Sequence, residues 1–224
     1  INYKIMTIYT KKNKVLIFGA DSDLAKSIDV LFKVKYDLVG FSRSKKNKDL
    51  LNIKCNFLEK QNILKNTKKF LFKNNNINSI IISLGKFNRS LEKYDKDNSE
   101  DFLITKNILE VVTKELINKK INTRIIIIGS MDSFIPNTNS FKYSIGKSAI
   151  STLIKLYKKK YKKYKLDFTE IAPGPINTKM RIKKIEKKNK LIQPIDISKI
   201  CFALSEMSLG ISLDTIKIYP KNWN

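Results

Sequence analysis

Three stretches of this sequence, Val-Leu-Ile-Phe at 15–18, Ile-Ile-Ile at 80–82 and Ile-Ile-Ile-Ile at 125–128, are apolar at every consecutive position and mostly β-branched. A strand with one wet face alternates polar with apolar. A strand apolar throughout must be covered on both faces, which is the condition of a strand inside a parallel sheet. The pattern predicts strands at Lys14–Phe18, Tyr36–Phe41, Asn52–Cys55, Ser79–Ser83, Arg124–Ile128, Asp167–Ile171 and Thr215–Ile218. Between them, amphipathic stretches predict helices near Leu24–Phe32, Asn62–Phe72, Glu100–Asn118, Phe141–Tyr164 and Asp196–Glu206. Strand–helix alternation of this kind specifies an α/β fold: a doubly wound parallel seven-stranded sheet with helices on both faces. Such sheets bind ligands at the carboxyl ends of their strands, where the strand order reverses.

No repeat, linker or shift in composition divides the 224 residues, so one domain over 14–224 is expected, preceded by an extension over 1–13 in which Met6 is a plausible start. The absence of histidine excludes Ser-His-Asp and Cys-His catalysis and most zinc sites, and no metal is expected. Cys55 and Cys201 lack metal or redox spacing and read as core thiols of a reducing compartment. No apolar run reaches membrane-spanning length, and a cytoplasmic protein without a membrane partner is expected. The net charge of +25 raises the question of polyanions. Yet 41 of the 45 basic residues are lysine, dispersed with asparagine and isoleucine throughout, whereas phosphate-gripping surfaces also use the arginine fork. That dispersal favours a bias toward A/T-rich codons over a nucleic-acid partner.

After the first strand comes Gly19-Ala20-Asp21-Ser22-Asp23-Leu24-Ala25, running straight into a helix. A glycine permits the tight turn, and the helix N-terminus, with Ser22 and Leu24, offers N–H groups and a positive dipole end to a pyrophosphate. The full glycine fingerprint would place glycines at Asp23 and Ala25 as well. Ala25 is a mild change; the Asp23 carboxylate must point away from the phosphates or cap the helix. At the end of the second strand, where an acid would bind the adenosine ribose of NAD, stand Ser42 and Arg43. A guanidinium suits a 2′-phosphate, so NADP(H) is preferred and NAD(H) is the alternative.

Tyr143 and Lys147 are i and i+4 on a predicted helix and project from one face. An ammonium one turn from a phenol favours the phenolate, which suits acid–base work near neutrality. Ser130 emerges at the carboxyl end of a predicted strand with a hydroxyl to orient a reacting oxygen.

These motifs, with Ile-Ile-Ser-Leu-Gly at 81–85, Tyr-Ser-Ile-Gly-Lys at 143–147 and Ala-Pro-Gly-Pro-Ile-Asn-Thr-Lys-Met at 172–180, stand in the order seen in short-chain dehydrogenases/reductases. The chain resembles the single-domain branch of that family, in which a serine thirteen residues before the tyrosine is usual, as Ser130 is here. The resemblance implies a Rossmann-type fold and assigns proton transfer to Tyr143. It gives Lys147 a hold on Tyr143 and on the nicotinamide ribose, and Ser130 a hold on the substrate oxygen. The family's relay asparagine falls at Asn107 counting forward from Gly85, whereas counting back from Ser130 gives Phe102. Asn107 is preferred, with Asn98 as fallback. Ser83, Leu84 and Gly85 stand where the family has Asn-Ala-Gly. Pro173, Gly174, Ile176 and Thr178 match the loop beside the nicotinamide amide and pyrophosphate, and Asn56 with Phe57 the adenine edge. The lysine-rich segment 180–192 takes the place of a substrate-covering loop and suggests an anionic substrate, while Lys158–Lys165 reads as a solvated face. A homodimer or homotetramer is implied.

The function expected is therefore NAD(P)-dependent interconversion of a carbonyl and an alcohol. The rival is a non-catalytic binding or regulatory protein on the same scaffold, with polyanions as one partner class, motivated by Asp23, Leu84 and the charge. An epimerase or dehydratase of the longer-chain branch is disfavoured by the short stretch after Ile171.

Overall fold

In the computed structural model, which describes residues 12–73, 76–85, 99–136, 138–179 and 191–221, seven parallel strands form one sheet in the order β3-β2-β1-β4-β5-β6-β7. The strands are β1 Lys14–Phe18, β2 Asp37–Ser42, β3 Leu51–Lys54, β4 Ile77–Ile82, β5 Thr123–Ile128, β6 Leu166–Pro173 and β7 Thr215–Ile218. The helices are α1 Asp23–Phe32, α2 Lys60–Lys73, α3 Ser99–Asn118, α4 Phe141–Lys160 and α5 Pro194–Glu206. The doubly wound α/β architecture read from the apolar runs is the one observed. The chain reverses its direction of growth between β1 and β4, which opens a crevice beyond their carboxyl ends.

Alternation along each strand sorts the side chains between two layers. Leu16, Phe18, Ile80, Ile82, Ile125 and Ile127 share a core with Ile63 of α2, Ile104 and Ile108 of α3, and Ile150 and Ile154 of α4. Val15, Ile17, Ile81, Ile126 and Ile128 pack on the other face against Leu24, Ile28 and Phe32 of α1 and Ile197, Cys201 and Leu204 of α5. Each such aliphatic side chain, fully buried, contributes about 1.5–3 kcal/mol. The runs are uninterrupted because both faces are dry.

Most element limits fall within a few residues of expectation, and the end of α4 differs for an identifiable reason. The helix expected to reach Tyr164 ends at Lys160, and Tyr161 closes it with φ −104° and ψ 16°. Tyr157 and Tyr161 turn onto Phe168 of β6, and that ring packing draws the chain into a turn. The lysines that follow are exposed, but Lys158 is not a solvated residue: it binds Asp214 at 2.5 Å and the Leu213 carbonyl at 2.8 Å.

Arg124, inside the longest isoleucine run, is 1% exposed. Its guanidinium donates to Asp167 (2.8 Å) and to the carbonyls of Leu204, Ser208 and Ile211, fastening the segment between α5 and β7 to the sheet. Cys55 and Cys201 are free and buried, and burial pushes their thiols up to about 11 and about 12. Such thiols are unreactive near neutrality. No helix among the described residues is long and apolar enough to cross a membrane.

Candidate active site

A cavity of about 650 Å³ lies at the carboxyl ends of β1, β4, β5 and β6, at the switch point of the sheet. The turn that leads into it starts at Gly19, whose φ of +95° is open to glycine and strained for other residues. A Cβ there would overlap the Ser83 carbonyl, so the close approach of the turn to the end of β4 needs this glycine. Ser22, Asp23 and Leu24 at the start of α1 line the cavity. Ser22, not Asp23, is the N-cap: its hydroxyl accepts from the Ala25 amide at 3.1 Å. Asp23 accepts from the Lys179 amide at 2.7 Å, linking the start of α1 to the loop after β6. The carboxylate that departs from the glycine fingerprint is thereby engaged by a donor of its own.

At the far end of the cavity Asp21 accepts from the Ser44 hydroxyl (2.6 Å), the Asn47 amide (2.8 Å) and the Asn52 side chain (2.9 Å). Burial opposes its charge, but these donors prevail and hold its carboxyl well below the usual carboxylate range. Asp21 thus ties the loop after β2 to the glycine turn. In that loop Ser42 is buried, donating to Asn52 at 2.9 Å and accepting from the Lys45 amide at 3.0 Å. Arg43 does not line the cavity: its guanidinium pairs with Glu100 of α3 at 2.8 Å, an exposed ion pair. The basic side chain of this loop that lines the cavity is Lys46, beside Asn47. The expected adenine-edge residues also lie off the cavity. Asn56 is exposed and bonds Glu59 and the Leu58 amide, and Phe57 is in the core against Phe18.

Ser130, Tyr143 and Lys147 converge on the other half of the cavity, as do Ser83, Leu84 and Gly85 after β4 and Pro173, Gly174, Ile176 and Thr178 after β6. Ser130 caps a 3₁₀ turn, Met131–Ser133, and its Oγ accepts the Asp132 amide at 3.2 Å. That bond occupies an acceptor site and leaves the hydroxyl proton available for donation. Lys147 is 2% exposed, its Nζ donating to the Leu84 carbonyl at 3.1 Å and lying 5.5 Å from the centre of the Tyr143 ring. The i, i+4 spacing on α4 does what the sequence pattern requires of it, setting ammonium and phenol on one face.

Asn107 is elsewhere. It is buried on α3, and its amide donates to the carbonyls of Phe57 and Leu58 at 3.2 and 3.1 Å, bracing the chain after β3. It does not line the cavity, and Asn98 lies outside the described residues. The polar α3 residue near Lys147 is instead Asp101, six residues earlier. Behind Ser130, Glu170 of β6 is 1% exposed; burial raises its carboxyl, against hydrogen bonds from Ser151 (2.8 Å) and Thr215 (3.3 Å). Its second oxygen, Oε1, has no hydrogen-bond partner and occupies the space that a Cβ on Gly129 would need. Among the described residues no group of three His, Cys, Asp or Glu side chains is placed to hold a metal.

The donor set fits a dinucleotide: a glycine turn opening a helix, a buried ammonium, and a proline–glycine loop across the cleft. Comparison with known proteins agrees with this reading of the fold. A family model described as short chain dehydrogenase matches residues 92–189. The structure is similar to an alcohol dehydrogenase from the archaeon Thermococcus sibiricus complexed with 5-hydroxy-NADP (TM-score 0.80, 16% identity, 96% of this chain and 99% of that one). It is also similar to a 3-ketoacyl-(acyl-carrier-protein) reductase from Brucella melitensis complexed with NADH (0.75, 14%, 92% and 96%). A third similar structure is a serine dehydrogenase from Escherichia coli (0.74, 16%, 94% and 99%). No curated protein sequence gives a significant match.

Proposed function

We propose that the chain, which the short chain dehydrogenase model matches over residues 92–189 and whose fold is similar to that of solved dehydrogenases, is a short-chain dehydrogenase/reductase that interconverts a carbonyl and an alcohol with NAD(P). The observation that carries the proposal is the convergence of Ser130, Tyr143 and Lys147 on one wall of the cleft. Bound along that cleft, the nicotinamide cofactor supplies or accepts the hydride.

The chain's own residues handle the oxygen and its proton. Ser130, with its acceptor site taken by the Asp132 amide, donates to the substrate oxygen and fixes its position. Tyr143 gives its proton to that oxygen in reduction and takes it back in oxidation. Lys147, immobilised by the Leu84 carbonyl, keeps its Nζ beside the phenol ring and within reach of a nicotinamide ribose in the cleft. Holding these groups in place before substrate arrives lowers the reorganisation that the proton transfer requires.

NADP(H) is the preferred cofactor, on the basic character of the loop after β2, and four similar structures are described as holding NADP, NADPH or 5-hydroxy-NADP, against one with NADH. Lys46 lines the cavity and Arg43 stands in an exposed ion pair, so both are candidates for the 2′-phosphate. An assembly of two or four chains is favoured by α4, where Phe141, Ile145 and Leu156 are more than half exposed along one stripe. Segment 180–190, assigned above to covering the substrate, lies outside the described residues.

Consumption of NADPH over a panel of anionic and neutral ketones and aldehydes tests the reading. Tyr143→Phe should lower turnover by about 10²–10⁴-fold while NADPH affinity stays unchanged. Tight NADPH binding with no turnover of any carbonyl would count against catalysis. Salt-steep nucleic-acid affinity indifferent to NADPH would favour the polyanion-binding rival.

A further inference from the structure

The order of the sheet places β4 and β5 between β1 and β6, so the turn after β1 and the loop after β6 rise from strands three spacings, about 14 Å, apart. They meet nevertheless. The Asp23 carboxylate, in the first turn of α1, accepts from the Lys179 backbone amide at 2.7 Å, and the bond is exposed to solvent. Both residues line the cavity, together with Ser83–Gly85 and Ile128–Ser130 from the strand ends between them. The link is therefore an arch over the ends of β4 and β5. Lys46 and Asn47 stand at one end of the cavity beneath it, Ser130 and Tyr143 at the other.

Each pier of the arch is fastened on its own. Ser22 caps α1 through the Ala25 amide at 3.1 Å, and the Gly19 amide donates to the Phe41 carbonyl of β2 at 2.9 Å. The loop after β6 is pinned to the residues before α5. The Asn177 amide donates to the Ile192 carbonyl and the Ile192 amide to the Pro175 carbonyl, both at 2.9 Å, and the Asn177 side chain donates to Gln193 at 3.0 Å. None of these bonds uses the Asp23 carboxylate or the Lys179 amide, so the arch can open while its piers stay in place.

We infer that Asp23 and Lys179 form a clasp over the cleft, which opens for a nicotinamide dinucleotide to enter or leave and so sets the rate of its exchange. The inference deepens the functional reading above and rests on it. A clasp that makes no contact with its ligand slows entry and departure by one factor, set by the fraction of time the bond is open, and leaves affinity unchanged. A carboxylate also acts on phosphates through its charge, so the test compares two variants that both lack that charge. Asp23→Asn keeps an acceptor for the Lys179 amide, and Asp23→Ala removes it.

Stopped-flow fluorescence of NADPH reads both rates in the whole protein, dissociation being followed by a chase with excess NADP. Asp23→Ala should bind and release NADPH about fivefold faster than Asp23→Asn, the worth of one neutral hydrogen bond, with dissociation constants equal within about twofold. In the free protein, hydrogen exchange at the Lys179 amide, followed by NMR, should be faster in Asp23→Ala by about the same factor. Equal NADPH rates in the two variants, or a Lys179 amide indifferent to the substitution, overturns the clasp. A loss of affinity carried by dissociation alone overturns it too, because the side chain would then be a direct contact of the ligand. Absence of NADPH and NADH binding in every form, the parent included, sinks the dinucleotide reading and the clasp with it.

Discussion

Replacing Arg124 with methionine removes a guanidinium from the interior and leaves most of its apolar volume. The side chain is 2% exposed and Asp167 6%, so their 2.8 Å pair is screened hardly at all by solvent. After the substitution Asp167 retains Ser212 at 2.5 Å, Thr169 at 3.1 Å and the longer ion pair with Lys158 at 3.8 Å, but loses the nearer, buried guanidinium at 2.8 Å. The carbonyls of Leu204, Ser208 and Ile211 lose their donor at the same stroke. Breaking a buried pair on one side costs about 3–5 kcal/mol, because a charge is left without compensation. For a chain of this length that is a fall in Tm of about 10 °C. Urea unfolding followed by circular dichroism measures it, and adding Asp167→Asn to the methionine variant should recover about 1–2 kcal/mol by removing the stranded charge. A methionine variant within 1 kcal/mol of the parent, or a double variant no better than the single, would refute the account of Arg124 as a clamp.

Two further outcomes follow from the same structure. Burial raises the Glu170 carboxyl against the hydrogen bonds from Ser151 and Thr215, so the folded chain gives up this proton at a higher pH than the unfolded chain does. Its contribution is full below the ordinary carboxylate range and is lost as pH rises through the raised folded value. The urea midpoint of Glu170→Gln relative to the parent should therefore improve as pH rises from the ordinary carboxylate range through the raised folded value, and a constant gap would contradict a raised Glu170 carboxyl. Gly19→Ala forces a side chain into a φ of +95° and against the Ser83 carbonyl. It should cost about 2 kcal/mol or more in the same assay and weaken NADPH binding, measured by nucleotide fluorescence.

What the residues announced in advance was whatever depends on periodicity. Isoleucine runs covered on both faces can be strands of one kind, and Ser130, at the end of one such run, has nowhere to emerge except the carboxyl edge. Tyr143 and Lys147 meet by helical spacing alone. The misplacements share a cause. Arg43 finds Glu100 fifty-seven positions away, and Asn107 finds carbonyls fifty away, partners that no local pattern encodes. Asn107 was reached by counting across the connection between β4 and α3, whose length periodicity does not fix. Asp101 lacked any apolar rhythm to point at it, and Glu170 sat in a strand, where its neighbours made it look like one more ladder position.

The parallel sheet gives the molecule two unlike ends. The turns after β1, β2, β4, β5 and β6 at the carboxyl edge contribute to the cleft, whereas the turns at 33–36, 119–122 and 161–165 merely return the chain to the next strand. Those returns carry exposed lysines, including Lys33, Lys35, Lys120, Lys162 and Lys163. Coupling the protein to a surface through amines at that edge would present the cleft outward, while Lys147, almost wholly shielded, would escape the reagent.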